Sequence, residues 1–376
     1  MSSLPKRWRE VGFDEAFERL KLKSFEIPSK NYQPSGQYPI IDQGEGHIAG
    51  YIDRQGPIST IPFIVFGDHT TIVKYVDQPC FIGSQGVVPL KAKECYDPYF
   101  LYLMLGRTRI PALGYSRHFR ELENKTFPLP PLDEQRKIAE ILRTWDEAIE
   151  TAEAELKAKQ ERKRWLMDKL IDEGCVRSTT GNCRIKSRLS EITSMASGGT
   201  PKTSVSEYYG GSIPWVSISD MTSGTSYING SKTRITEEGL SNSSARIFKK
   251  GTVLFAMYAS IGECRIAGLD LTTSQAILGI TPGPSIRSEY LYYFLCRIKE
   301  TAKSYGQTGT QANLNKGIVG DFEISLPTLE EQDRILDVLK TCDTDVEKAT
   351  MMISVLRTQK RGLMQKLLTG EVRVAA

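Results

Sequence analysis

Apolar positions recur along this chain in two rhythms. Starting at Ile138, the positions Leu142, Trp145, Ile149, Ala152, Leu156, Lys159, Lys163, Leu166 and Leu170 follow in alternating steps of four and three. The same steps return 197 residues later in Ile335, Leu339, Cys342, Val346, Ala349, Ile353, Leu356, Lys360, Leu363 and Leu367. A seam of this period predicts two long helices that bury it by supercoiling on one another. Each is introduced by a matching motif, Leu129-Pro130-Pro131-Leu132-Asp133-Glu134-Gln135 and Leu326-Pro327-Thr328-Leu329-Glu330-Glu331-Gln332. Pro131 and Pro327 stop whatever precedes, Thr328 and Glu331 have capping-box spacing, and acidic residues sit where the helix dipole favours them. About 39 residues at roughly 1.5 Å each would make a rod of around 60 Å.

The second rhythm is one of short apolar runs. Tyr38 to Ile41, Phe63 to Phe66 and Gly86 to Leu90 are bounded by Gly, Pro, Asp and Ser, which predicts strands. Asp97-Pro98 then reads as an N-cap with proline in the first turn, opening a helix over Tyr99 to Leu105. A mostly polar stretch from Gly114 to Asn124 leads back to the first long helix. The plan repeats 190 residues on: Val253-Leu254-Phe255 answers Phe63-Ile64-Val65, Ser274 to Leu278 answers Ser84 to Val88, and Tyr290 to Leu295 answers Phe100 to Leu105. The change of offset from 190 to 197 implies a seven-residue insertion between Leu295 and Pro327, in the loop carrying Gly306 to Gln311. Residues between the matching points differ almost everywhere, as expected of one scaffold presenting two surfaces.

The expected organisation is therefore α+β, with residues 1–132 and 174–327 as globular domains, 133–173 and 328–370 as long helices, and 371–376 as a tail. At 376 residues with 40% hydrophobic and 25% charged side chains, the chain has the composition of a globular protein with several cores. The absence of an apolar run of membrane-spanning length and the polar start at Met1 to Trp8 predict a cytoplasmic location. Seven cysteines without a Cys-x-x-Cys pair argue for reduced thiols and against structural zinc. Residues 1–132 carry 16 basic and 14 acidic side chains and residues 174–328 carry 16 and 11, whereas the first long helix has 9 against 12. The positive excess lies on the globular pieces, where a polyanion would be met.

No phosphate loop, metal-ligand spacing or methyltransferase cofactor loop is present. Asp97-Pro98-Tyr99-Phe100 lacks one proline of the Asp-Pro-Pro-Tyr element, and Glu161-Arg162-Lys163 lies on the rod. Phe66-Gly67-Asp68-His69-Thr70 is better read as a turn after a strand than as a carboxylate and imidazole pair. What the loops do offer is amides, guanidinium groups and hydroxyls suited to base edges. The candidates are Arg117, His118 and Arg120 in the first unit, and Thr200, Lys202, Lys232, Arg234, Gln307, Gln311, Asn313 and Lys316 in the second.

The doubled motif with its helix, the Lys-Arg-x-Leu-Met-x-Lys-Leu near each helix end, Gly198-Gly199-Thr200-Pro201, Ile213 to Met221 and Phe66 to Thr70 together resemble the specificity subunit of type I restriction-modification systems. The first unit has Lys30 to Tyr38 in the place of the Gly-Gly-Thr-Pro pattern. The resemblance implies two target-recognition domains on a pseudo-twofold scaffold, each reading half of a split, asymmetric double-stranded DNA site. It implies an intramolecular antiparallel coiled coil setting the gap, and no catalytic residue, metal or cofactor on the chain itself. Its partners would be two modification subunits methylating adenine with S-adenosylmethionine and two restriction subunits using ATP and Mg. An enzyme with an unrecognised site, an adaptor lacking DNA specificity, and a specificity subunit of another DNA-methylation defence system are the alternatives.

Overall fold

Both seams fold as helices, Leu132–Asp168 of 37 residues and Leu329–Leu367 of 39. This is seen in the computed structural model of the chain, which describes residues 5–111, 117–173, 184–222, 224–307 and 314–374. The first helix closes in a π turn, Lys169–Glu173. Contacts gather the chain into one unit of residues 1–153 with 351–376 and another of residues 154–350. Each unit thus holds the start of one long helix and the end of the other.

In the first unit, Asp146 is paired with Lys360, and Glu153 with Arg357 at 2.5 Å. As one index rises the other falls, so the helix segments here run antiparallel. Ile138, Leu142, Leu367 and Leu368 are buried in the same cluster, with Leu363 packed against it. Ile149 and Ile353 are also buried, while Trp145 and Leu356 are half-buried. In the second unit Lys163 meets Asp343, and Leu170, Ile335 and Leu339 share a core that Leu166 packs against. Leu156 and Val346 are half-buried there.

Two of the three seam lysines, Lys163 and Lys360, reach matching carboxylates, each of which also takes a tyrosine hydroxyl: Tyr99 donates to Asp146, and Tyr293 to Asp343 at 2.5 Å. Burial, and then the neighbouring carboxylate, pushes both phenols well above the ordinary tyrosine range. These lysines hold a place in the seam because their stems are covered while their ammonium groups are paired.

The motif glutamines explain how a long helix is fastened to its unit. The Gln135 amide donates to the Pro130 carbonyl at 2.8 Å, and its oxygen accepts the Asp97 N–H at 3.0 Å. Gln332 repeats this, donating to Ser285 and Pro327 and accepting from Arg287 at 2.8 Å. Both are almost fully buried, at 1% and 0% exposure. The glutamates beside them accept arginines: Glu134 takes Arg373 in a two-pronged pair at 2.7 Å, and Glu331 takes Arg184 at 2.8 Å.

The first unit's main sheet is antiparallel, ordered Phe17–Arg19, Val87–Ala92, Phe63–Gly67, Val73–Val76. The run Phe63 to Phe66 is apolar throughout because both of its faces are covered. Ile64 and Phe66 face the core with helix Pro98–Arg107, while Phe63 and Val65 face Ile41, Ile58 and Ile82. Asp97 caps that helix, accepting the Phe100 N–H at 2.8 Å.

The second unit keeps this sheet in Thr193–Ser197, Ile277–Pro282, Val253–Ala256 and Cys264–Ala267, adds Tyr227–Ile228, and packs helix Ser288–Arg297 against it. In both units a two-stranded ribbon leads to the long helix, Arg9–Gly12 with Thr126–Leu129 and Ile185–Arg188 with Glu323–Leu326.

The units part company in their second sheets. In the first it is four-stranded, Glu26–Ile27, Phe81–Gly83, Tyr38–Ile41 and Gly50–Ile52. In the second it is three-stranded, Thr233–Ile235, Tyr209–Val216 and Thr272–Thr273. Two sequence expectations change. The start of the expected insertion loop is helical, Lys299–Gln307, because Ala302 finds a fully buried place. The Gly-Gly-Thr-Pro segment follows directly on Thr193–Ser197, the counterpart of Phe17–Arg19, so the segment in its place in the first unit is Leu20 to Phe25 rather than Lys30 to Tyr38.

Candidate nucleic-acid interface

In the first unit three turns meet at one end of the main sheet. The Asp68 N–H donates to the Gly86 carbonyl at 2.8 Å, and the His118 N–H donates to the Asp68 carbonyl at 2.8 Å. The Asp68 carboxylate accepts the Phe119 N–H at 2.8 Å. Asp68 is thus the hub of a turn, as the reading of Phe66 to Thr70 expects. Gly67 is required there, since an added Cβ would lie 2.2 Å from the Thr70 hydroxyl. A fourth loop is tied in by Gln43, whose side-chain oxygen accepts the His69 N–H at 3.1 Å, and by buried Lys74, which donates to the Gly46 carbonyl at 2.5 Å. Burial lowers the Lys74 pKa, and nearby Asp42 works against that fall.

The candidates of this unit separate on this frame. Arg117 projects with its side chain 83% exposed, 3.9 Å from Asp68, and Arg120 is exposed on the short helix Phe119–Glu123. His118 is 3% exposed, with its ring nitrogen 2.9 Å from the Asp68 carbonyl. Packed inward, it is part of the frame and has no edge to offer a base.

In the second unit the clustering comes from the Gly-Gly-Thr-Pro segment. The Trp215 indole donates to the Gly199 carbonyl at 2.9 Å and the Tyr209 hydroxyl donates to the Pro201 carbonyl at 2.7 Å, which ties the segment to strand Tyr209–Val216. Strand Thr233–Ile235 pairs beside that one, and the Arg234 guanidinium donates to the Ser212 carbonyl at 3.2 Å. Ser217 and Asp220 form a capping box, and Asp220 receives the Lys232 N–H at 3.4 Å. Thr200, Lys202, Lys232 and Arg234 are therefore carried on or beside one small sheet, the three basic side chains exposed.

Lys316 is exposed at the start of helix Lys316–Gly320, whose other end abuts Ser190, so it belongs to a different part of the unit. Gln307 ends helix Lys299–Gln307, while Gln311 and Asn313 lie outside the described residues. Sequence reasoning passed over Gln43, Gln85 and Gln275; Gln85 and Gln275 are exposed at equivalent turns. The signal was present in the 190-residue match of Ser84-Gln85 with Ser274-Gln275.

Comparison with known proteins gives one family at every level. A model described as "Type I restriction modification DNA specificity domain" matches residues 5–160 and again 185–352. The specificity subunit of the type I restriction enzyme MjaIX of Methanocaldococcus jannaschii is 35% identical over 172 residues, 45% of this chain and 40% of that relative's length. The EcoR124I/EcoR124II specificity subunit of Escherichia coli is 27% identical over 344 residues, 85% of this chain and 82% of the relative. Among solved structures, the S subunit of a type I restriction-modification system from M. genitalium superposes with a TM-score of 0.61 at 16% identity, covering 97% of this chain and 98% of the other. A chain from a structure of type I system assembly and conformational transition superposes at 0.63 and 19% identity, covering 99% and 100%.

Proposed function

The chain belongs to the type I restriction modification DNA specificity family, and from that premise we infer that it is the sequence-specific DNA-binding subunit of a type I restriction-modification enzyme. In this reading residues 1–132 and 174–327 are the two target-recognition domains, and residues 133–173 and 328–370 are the spacer helices. Each domain takes one half of a bipartite, asymmetric site in double-stranded DNA.

The observation that carries the reading is a conserved frame with divergent faces. Main sheet, ten-residue helix and motif glutamine recur in both units, whereas the second sheet is four-stranded in one and three-stranded in the other. Two copies of one protein-binding function would have no need of different faces; two readers of different half-sites would. Arg117 and Arg120 in the first unit, and Lys202, Lys232 and Arg234 in the second, supply the guanidinium and ammonium groups that phosphates and base edges accept, with Thr200 beside them. Lys316, Gln307, Gln311 and Asn313 remain candidates of the second unit.

Catalysis in this reading belongs to partners. Two modification subunits would methylate adenine with S-adenosylmethionine, and two restriction subunits would use ATP and Mg to translocate and cut. The near-repeat of the helices at 197 residues supports a twofold arrangement of those partners. The experiment is sequencing of methylated adenines in DNA from cells expressing this chain with its modification subunit, against cells lacking the chain. A new split motif with one methylated adenine on each strand is the expected result. S-adenosylmethionine or ATP turnover by the purified chain alone would overturn the assignment to a non-catalytic subunit.

A further inference from the structure

We propose that Gln275 reads a base edge in the half-site taken by the second unit, and that Thr200 is the residue that positions it; this rests on the reading above. The Thr200 hydroxyl donates to the Gln275 side-chain oxygen. That bond orients the amide, because it engages the oxygen and leaves the NH2 group with both of its donors.

The support under this pair is rigid. An added Cβ on Gly198 would lie 2.1 Å from the Thr273 hydroxyl, and one on Gly199 would lie 2.3 Å from the Ala245 nitrogen. Only glycine permits so close an approach. The Gly198 and Gly199 N–H groups donate to the Ile277 and Thr273 carbonyls at 3.1 and 2.9 Å, on either side of Gln275. The glutamine itself is exposed in a tight turn between two buried strand ends, Thr272–Thr273 and Ile277–Pro282. A flexible polar side chain held at its tip by a hydroxyl and at its root by paired strands is what direct readout requires. Two N–H donors match the acceptors of the major groove, purine N7, guanine O6 and thymine O4. In the first unit Gln85 is exposed at the same turn, where no Gly-Gly-Thr-Pro segment flanks it.

The test is methylated-adenine sequencing in cells carrying the modification subunit and the chain as wild type, Gln275→Ala, Gln275→Glu or Thr200→Val. Gln275→Ala is expected to weaken base preference about tenfold at one position of one half-site, with the other half and the spacer unchanged. Thr200→Val should give a smaller loss at that same position. Gln275→Glu replaces donors by an acceptor, so preference there should turn toward a base presenting an amino group. An unchanged motif in both Gln275 variants would overturn the proposal. So would methylation that falls equally at all sequences while the thermal melt is unchanged, the signature of a backbone contact. Where Gln275→Ala lowers the melt, the Gln275→Glu motif decides by the same criteria. Absence of any split motif with the wild-type chain would instead overturn the function on which the proposal stands.

Discussion

A single buried amide in each unit shows why the Leu-Pro-x-Leu-Asp/Glu-Glu-Gln motif is written twice. Gln332, itself fully buried, joins three backbone groups from two segments. Gln332→Leu preserves volume but leaves the Arg287 N–H and the Ser285 and Pro327 carbonyls without that partner. We expect a loss of about 1–3 kcal/mol, and the same for Gln135→Leu, read as a lowered thermal melt. An unchanged melt in both variants would mean that water replaces the amide. At this scale the sequence was legible as a motif but not as a mechanism. Nothing in the spacing distinguishes a glutamine that sews a helix to its neighbour from one that merely begins it.

Among the elements, the long helices were the most legible and the second sheets the least. The seam of each helix was readable because a period of three and four is local, and the positions it names are buried or half-buried in the structure. Leu142 and Leu339 are both fully buried, each within its own unit. Replacing both with aspartate should cost well over the roughly 2–5 kcal/mol of truncating a buried leucine, since an unpaired charge is buried as well. Circular dichroism melts and co-purification with the modification subunit would measure it; a melt equal to the parent's would remove the seam assignment. Apart from Tyr38–Ile41, which the apolar run had marked, the strands of the second sheets escaped prediction because they use parallel pairs between distant segments. Glu26–Ile27 pairs with Phe81–Gly83, and Trp215–Val216 with Thr272–Thr273. Runs of two or three residues carry no period long enough to detect.

For the molecule as a whole, the relevant quantity is the length of uninterrupted helix. Seven residues rise about 10 Å, close to three base pairs of B-form DNA at 3.4 Å each. Deleting one heptad from both helices at matching positions keeps the seam in register and shortens both by the same amount. The methylated motif should then keep its two halves and change its spacer. An unchanged spacer would remove the ruler role from the helices.

By itself the sequence determined the duplication, the two long helices and their buried seam, the strands at the centre of each unit and the family. All of these rest on periodic burial or on spacing that a linear chain can express. The tertiary structure alone decided which polar side chains reach the surface. His118 and Arg117 are neighbours in a loop, yet one is buried and the other exposed, because Asp68 draws the backbone and ring of the first inward. Gln275 is set apart from other loop amides by a hydroxyl 75 positions away in the chain. A polar residue in a loop has no period, so only the folded contacts around it determine what it presents.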